Sequence, residues 1–223
     1  MIARVELVAS FFVGLVVLAQ PVAADLPAEQ VGQVMTLPET VGAHWVWVPD
    51  QVLRHSALFD GDSGKMLGAL DSGMQISPKA PMWSKARREV YVVDTTYAKA
   101  HRGERKDYVA IYDAVTLNEK GDVEIPARST DTGTGIALVG MLDGDRFVLV
   151  LNQSPGASVS VIDVGERRVA SEIQTQGCAG VFPAGPDRFG MLCGDGTVMS
   201  VHLAKDGALD HIARSECFFD PVV

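Results

Sequence analysis

The 223-residue chain carries 28 Asp and Glu against 19 Lys and Arg, a formal net charge of −9. Phosphate binding needs clustered Lys and Arg, so this balance argues against nucleic acid as a partner. Three cysteines permit one intramolecular bridge and leave one thiol over.

The chain opens in the manner of an exported protein. Arg4 gives a positive start, residues 7–19 are apolar, and Pro21-Val22-Ala23-Ala24 offers small residues for cleavage before Asp25. The apolar run falls short of the roughly 20 residues a spanning helix needs, so residues 1–24 are expected to be a signal peptide and not a membrane anchor. In an oxidising compartment a cysteine pair favours a disulfide over a metal site. Residues 25–42 show no hydrophobic period and are expected to form a flexible arm.

From residue 43 onward the pattern is that of short strands. His44-Trp45-Val46-Trp47-Val48 alternates and stops at Pro49-Asp50. Ser56-Ala57-Leu58-Phe59-Asp60 then leads through Gly61-Asp62-Ser63-Gly64 into residues 65–70. The same unit returns at residues 107–113 and 158–163, each strand ending on Asp before a turn and a further strand. A weaker copy spans residues 197–213, and residues 89–94 and 146–151 read as strands between copies. Asp60, Asp113 and Asp163 are thus spaced at roughly 50 residues, the period of a β-propeller blade of about four strands. The repeated grammar favours an all-β propeller over a sandwich, and residues 43–223 hold about four blades. The final Phe218-Phe219-Asp220-Pro221-Val222-Val223 reads as the start of another strand, so the ring is expected to be partial.

Residues 177–203 contain the strongest local signal. Pro186-Asp187 and Gly194-Asp195-Gly196 separate three apolar runs, which predicts a meander of short strands. Cys178 and Cys193 lie at the outer ends of the first hairpin, where antiparallel pairing brings them within bonding reach. Cys217 is the odd thiol, read as a small buried hydrophobe beside Phe218.

Little else points to chemistry. The glycines of residues 132–140 lack the spacing and the βαβ setting of a dinucleotide loop. Asp60-Gly61-Asp62-Ser63-Gly64 starts like a calcium loop but places Lys65 where the sharp turn needs Gly. His44, His55, His101, His202 and His211 show no metal spacing, and Ser154 sits in no nucleophile elbow. No catalytic, cofactor-binding or metal residue is expected on this chain. His101-Arg102-Gly103-Glu104-Arg105-Lys106-Asp107 is the one basic knot, either a solvated loop or a docking loop.

Several segments resemble the heavy (large) subunit of the quinoprotein amine dehydrogenases, the methylamine and aromatic amine enzymes. They are Arg102-Gly103-Glu104-Arg105 feeding Tyr108-Val109-Ala110-Ile111-Tyr112-Asp113, Asn152-Gln153-Ser154-Pro155 leading to Val159-Ser160-Val161-Ile162-Asp163, and residues 178–207 with Phe182-Pro183, Met191 and Asp195-Gly196. The resemblance runs over about residues 43–219. It implies a seven-bladed propeller of which the N-terminal part is present here, and a Cys178–Cys193 disulfide. It also implies a periplasmic heavy subunit in a heterotetramer with a small (light) subunit. That subunit carries the tryptophan tryptophylquinone cofactor and the catalytic Asp. The assembly deaminates primary amines oxidatively and passes electrons to a blue-copper protein. In the family an aromatic gate of the substrate channel lies in the loop matching residues 50–55, where this shorter sequence offers Leu53. Two rival readings stay open: a non-enzymatic propeller used as a binding module, and a remnant without function.

Overall fold

A computed structural model describes residues 36–71, 73, 79–131 and 137–220. The expected signal peptide, residues 25–35 of the arm, most of the glycine loop at 132–136 and the final residues 221–223 lie outside the described residues. Among the described residues there is no helix, and the strands form four antiparallel sheets.

The first sheet holds β1 (Trp45–Asp50), β2 (His55–Asp60) and β3 (Met66–Asp71). The second holds β4 (Met82–Ser84), β5 (Glu89–Lys99), β6 (Arg102–Asp113) and β7 (Glu119–Ile125). The third holds β8 (Val139–Met141), β9 (Phe147–Asn152), β10 (Ser158–Asp163) and β11 (Arg168–Gln174). The fourth holds β12 (Cys178–Pro183), β13 (Arg188–Cys193), β14 (Val198–Leu203) and β15 (Leu209–Arg214). Within each sheet the strands pair in chain order, as a meander of the blade type expected from the repeat. Asp60 of β2 occupies the place of Asp113 and Asp163, so the first sheet aligns with the last three strands of the others.

The recurrent aspartate has a local physical cause. Asp113 Oδ1 accepts the backbone N–H groups of Val115 and Thr116, both at 2.9 Å, and Asp163 Oδ1 accepts those of Gly165 and Glu166 at 3.0 and 3.1 Å. A short acceptor at this position closes the turn between third and fourth strands by mimicking a backbone turn. These bonds to the Thr116 and Val115 amides hold the Asp113 carboxyl below the usual carboxylate range. At Asp163 burial opposes the charge, yet the Arg146 guanidinium and the turn amides prevail and its pKa is also lowered.

The four sheets pack face to face in sequence, and each gap is an apolar core. Between the first and second lie Leu70, Val90, Val92 and Ala114 with Trp47, Trp83 and Leu117 against them. Between the second and third lie Tyr91, Val93, Val109, Ile111, Val148, Val150 and Ile162. Phe147, Leu149, Val159, Val161, Phe189, Met191 and Val201 fill the third gap. The burial of single strands follows from this stacking. All six residues of β9 and all six of β10 are buried because the third sheet is covered on both faces. In β14 burial alternates: Met199, Val201 and Leu203 are buried while Val198, Ser200 and His202 are half-buried.

Three expectations need correction. The described part of the arm is docked: Leu37 is buried and its N–H donates to Val115 O at 2.7 Å. An apolar side chain with a place in the core outweighs the entropy of the unpatterned segment around it. Cys217 is exposed, its Sγ 3.4 Å from Phe219 O, because the chain beyond β15 runs over the surface of the Gly194–Thr197 turn. Lastly, residues 102–107 are strand and not loop, since β6 already begins at Arg102 and of the basic knot His101 alone sits in the turn.

Candidate functional site

Antiparallel order fixes which turns share an end of the blades. Turns between second and third strands, together with the links from one sheet to the next, lie on one side. Contacts between neighbouring sheets bear this out: Gly194 N donates to Gly177 O at 2.8 Å, Ser129 bridges to Asn152, and Arg128 pairs with Glu172 at 2.6 Å. Turns between first and second and between third and fourth strands lie at the opposite end. There Arg146 reaches Lys205 O at 2.8 Å.

On the first side the β1–β2 turn presents an apolar tip. Asp50 Oδ1 accepts the N–H groups of Val52 and Leu53 at 2.8 and 2.9 Å, and Arg54 takes a left-handed φ of 56° to bring the chain back. The Leu53 and Val52 amides hold the Asp50 carboxyl below its ordinary pKa. The aspartate satisfies the backbone, so the next two side chains project outward: Val52 is 87% and Leu53 65% exposed. Leu53 therefore stands at the tip of the turn, away from any core.

Beside it rises the longest hairpin among the described residues. β5 and β6 have 11 and 12 residues, against six in each of β1, β2, β9, β10, β13 and β14. Asp107, fully buried, anchors its root. It accepts the Thr95 hydroxyl at 2.9 Å, Arg105 Nε and Nη2 at 2.7 and 2.9 Å, and the Ser129 N–H at 2.8 Å. Arg105 Nη2 also donates to Ser129 O at 2.7 Å. Desolvation opposes the Arg105 charge, but the bonds and charge of Asp107 hold its pKa above the ordinary value. Arg105 and Asp107 share a strand face because side chains alternate with period two. The Arg-Gly-Glu-Arg motif is thus divided, with Arg105 locking the root and Arg102 and Glu104 exposed at the tip.

Around this anchor lies a buried charge cluster that sequence reasoning missed. Lys79, in the link from the first to the second sheet, is 3% exposed. Burial pushes its pKa down to about 8, with Asp131, Asp107 and Asp94 offsetting part of the loss. Burial, with like charge from Asp71 and Asp107, raises the Asp94 carboxyl. Gly73, at φ 63°, passes so close to that carboxylate that no Cβ fits there. Nothing in the residues next to Lys79 marks a buried lysine, since the carboxylates that face it, Asp94, Asp107 and Asp131, lie well along the chain.

Lys79 gives the fold a pH signature. Between about 8 and its ordinary 10.5 the unfolded chain binds a proton that the folded chain has released, so stability rises with pH. Tyr112, raised by burial to about 12, has the opposite sign, and stability falls as pH passes 10. Urea unfolding should show a gain of roughly 1–2 kcal/mol from pH 8 to pH 10, the Lys79 rise less the first loss from Tyr112 and from Tyr91, which burial also raises. Lys79→Met should abolish it, and a variant that retains the full rise would refute the assignment to Lys79.

Cys178 and Cys193 are directly opposite in the β12–β13 register and form a disulfide, with Cα atoms 3.9 Å apart. The bridge expected from the hairpin is present. Among the described residues no group of three or more His, Cys, Asp and Glu is placed to hold a metal ion. His202 and His211 instead stack across β14 and β15 with ring centroids 4.1 Å apart.

Comparison with known proteins places this frame. Residues 43–221 match the family described as methylamine dehydrogenase heavy chain. The methylamine dehydrogenase heavy chain of Methylorubrum extorquens is 28% identical over 208 residues, covering 90% of this chain and 49% of the relative. The heavy chain of Paracoccus versutus is 27% identical over 186 residues, covering 83% and 41%. The chain therefore spans about half the length of these relatives or less. Among solved structures, the dihydro-heme d1 dehydrogenase NirN superposes with a TM-score of 0.55 at 18% identity, covering 80% of this chain and 36% of that one. BamB from Moraxella catarrhalis gives 0.51 at 14%, covering 80% and 47%. At these identities the two structures bear on the fold alone, the β-propeller. The match over 179 of 223 residues decides the family, and this chain belongs to the methylamine dehydrogenase heavy chain family.

Proposed function

We propose that this chain is the propeller scaffold of a periplasmic amine dehydrogenase, the partner of a light subunit that carries the reactive quinone. The observation that carries the reading is the family match across residues 43–221. The assembly is a heterotetramer that converts primary amines to aldehyde and ammonia and delivers electrons to a blue-copper protein. Removing two electrons from an amine needs an electron sink, which tryptophan tryptophylquinone supplies when the light subunit is bound. The work of this chain is to position that subunit and to shape the approach to it. The Val52–Leu53 tip, an exposed apolar pair on a turn fixed by Asp50, suits a wall of the substrate entrance that excludes water from one side. A leucine there fills less volume than an aromatic ring, so the entrance is wider than in relatives with an aromatic gate.

The test is a gentle affinity isolation of the chain from its own cells, with the visible spectrum of what accompanies it. A small coloured partner whose quinone absorbance bleaches on adding methylamine is the expected result. A colourless preparation without a small partner would sink the reading and leave a binding propeller.

A further inference from the structure

We propose that the outer part of the β5–β6 hairpin, residues 96–106, is a cationic arm that grips an acidic patch on the light subunit. The inference rests on the scaffold reading above and adds the place and the chemistry of the contact.

Among the described residues no third strand pairs with the outer part of the arm. The ladder of the second sheet reaches Ile125 opposite Asp107 on one side and ends at Tyr91 opposite Met82 on the other. Beyond Asp107 the hairpin continues through Thr96–Lys106, Tyr97–Arg105 and Lys99–Arg102 pairs with no third strand among the described residues. At about 3.4 Å per residue it overhangs the blade end by roughly 15 Å. A two-stranded ribbon of this kind is marginal in water and leaves two unpaired edges, a form that proteins normally shorten or cover. Here it is held upright instead: Asp107 and Arg105 lock the root to Ser129, and Lys106 reaches Glu124 at 3.3 Å. A rigid root under an exposed tip is the arrangement of a docking element.

Charge gives the chemistry of the occupant, and the scaffold reading supplies its identity. Residues 96–106 carry Lys99, Arg102, Arg105 and Lys106 against Glu104 alone, on a chain of net charge −9. Arg105 and Lys106 are engaged at the root, which leaves Lys99, Arg102 and Glu104 exposed at the tip, two positive charges against one negative. Such a tip attracts carboxylates and repels a second copy of the same arm. It also rises from the end of the blades that bears Leu53, so a subunit held there covers the proposed substrate entrance.

The experiment measures the affinity of the full chain for the light subunit from the same cells, by titration calorimetry at low and moderate salt. Wild-type affinity should fall with salt, and Lys99→Glu/Arg102→Glu should weaken binding by about tenfold or more at low salt and flatten the salt dependence. Lys65→Glu/Lys205→Glu, an equal charge change on exposed turns at the opposite end, should leave affinity within about twofold. Equal weakening by both double variants, or none by the first, would overturn the arm while leaving the scaffold intact. Failure of the wild-type chain to bind the light subunit would overturn the scaffold reading, and the arm with it.

Discussion

Asp107→Ala should cost the fold about 3–5 kcal/mol, the range for removing one partner of a buried, hydrogen-bonded ion pair. The carboxylate is fully buried and accepts four hydrogen bonds, from Thr95, twice from Arg105 and from the Ser129 amide. Deleting it strands a guanidinium whose side chain is only 24% exposed, together with a buried hydroxyl and a buried N–H. It also takes away a negative charge that helps Lys79 to stay protonated. Asp107→Asn keeps the volume and one acceptor but loses the charge, so it should fall between the two at about 1.5–3 kcal/mol. Urea unfolding gives the energies. Trypsin gives the location, because loss of the root should open the half-buried Arg105 and Lys106 to cleavage before the blades unfold. A loss below about 1 kcal/mol for the alanine variant would show that the cluster stabilises the hairpin by other means.

The parts of this molecule that the sequence discloses are those built from neighbours in the chain. Asp60, Asp113 and Asp163 announce their turns because the carboxylate bonds amides two and three residues on, so the signal is local. The Cys178–Cys193 bridge is legible for the same reason: one hairpin register places both residues opposite each other. Leu53 is legible as a turn residue because Pro49-Asp50 stops the strand before it, whereas the exposure of its side chain is a property of the folded turn tip. Lys79 and Asp94 are the other case, since the charges that face them come from Asp71 of the first sheet, Asp107 of the second and Asp131 in the link after it, and no spacing encodes that meeting. The basic knot at 101–107 misleads through composition: charged residues read as a loop, whereas alternation puts Arg105 and Asp107 on one strand face and lets the ladder run on to Arg102. Cys217 misleads in the opposite way. Its neighbours Phe218 and Phe219 look like core, but Phe218 is 62% exposed and packs edge-on against Phe219 at the surface.

Removal of the disulfide by Cys178→Ala/Cys193→Ala should lower stability by about 3 kcal/mol, the chain-entropy value for a loop of this length. The bridged residues are 15 positions apart and the sulfurs lie in the core between the third and fourth sheets, with Val181, Phe189 and Met191. Two effects are separable. The freed unfolded chain becomes more expanded and exposes more surface, so the urea m-value should increase. The alanines also leave a small cavity, which acts on the folded state and should speed unfolding. Reduction of the wild type by dithiothreitol removes the cross-link while leaving both sulfurs in the core, and so isolates the first effect. Alkylation supplies the control on pairing. In the unreduced folded protein iodoacetamide should modify Cys217 alone, because it is the exposed free thiol while Cys178 and Cys193 are bonded and buried. Peptide maps that join Cys217 to Cys178 or Cys193 would contradict the bridge, and equal stability of oxidised and reduced protein would contradict its energetic role.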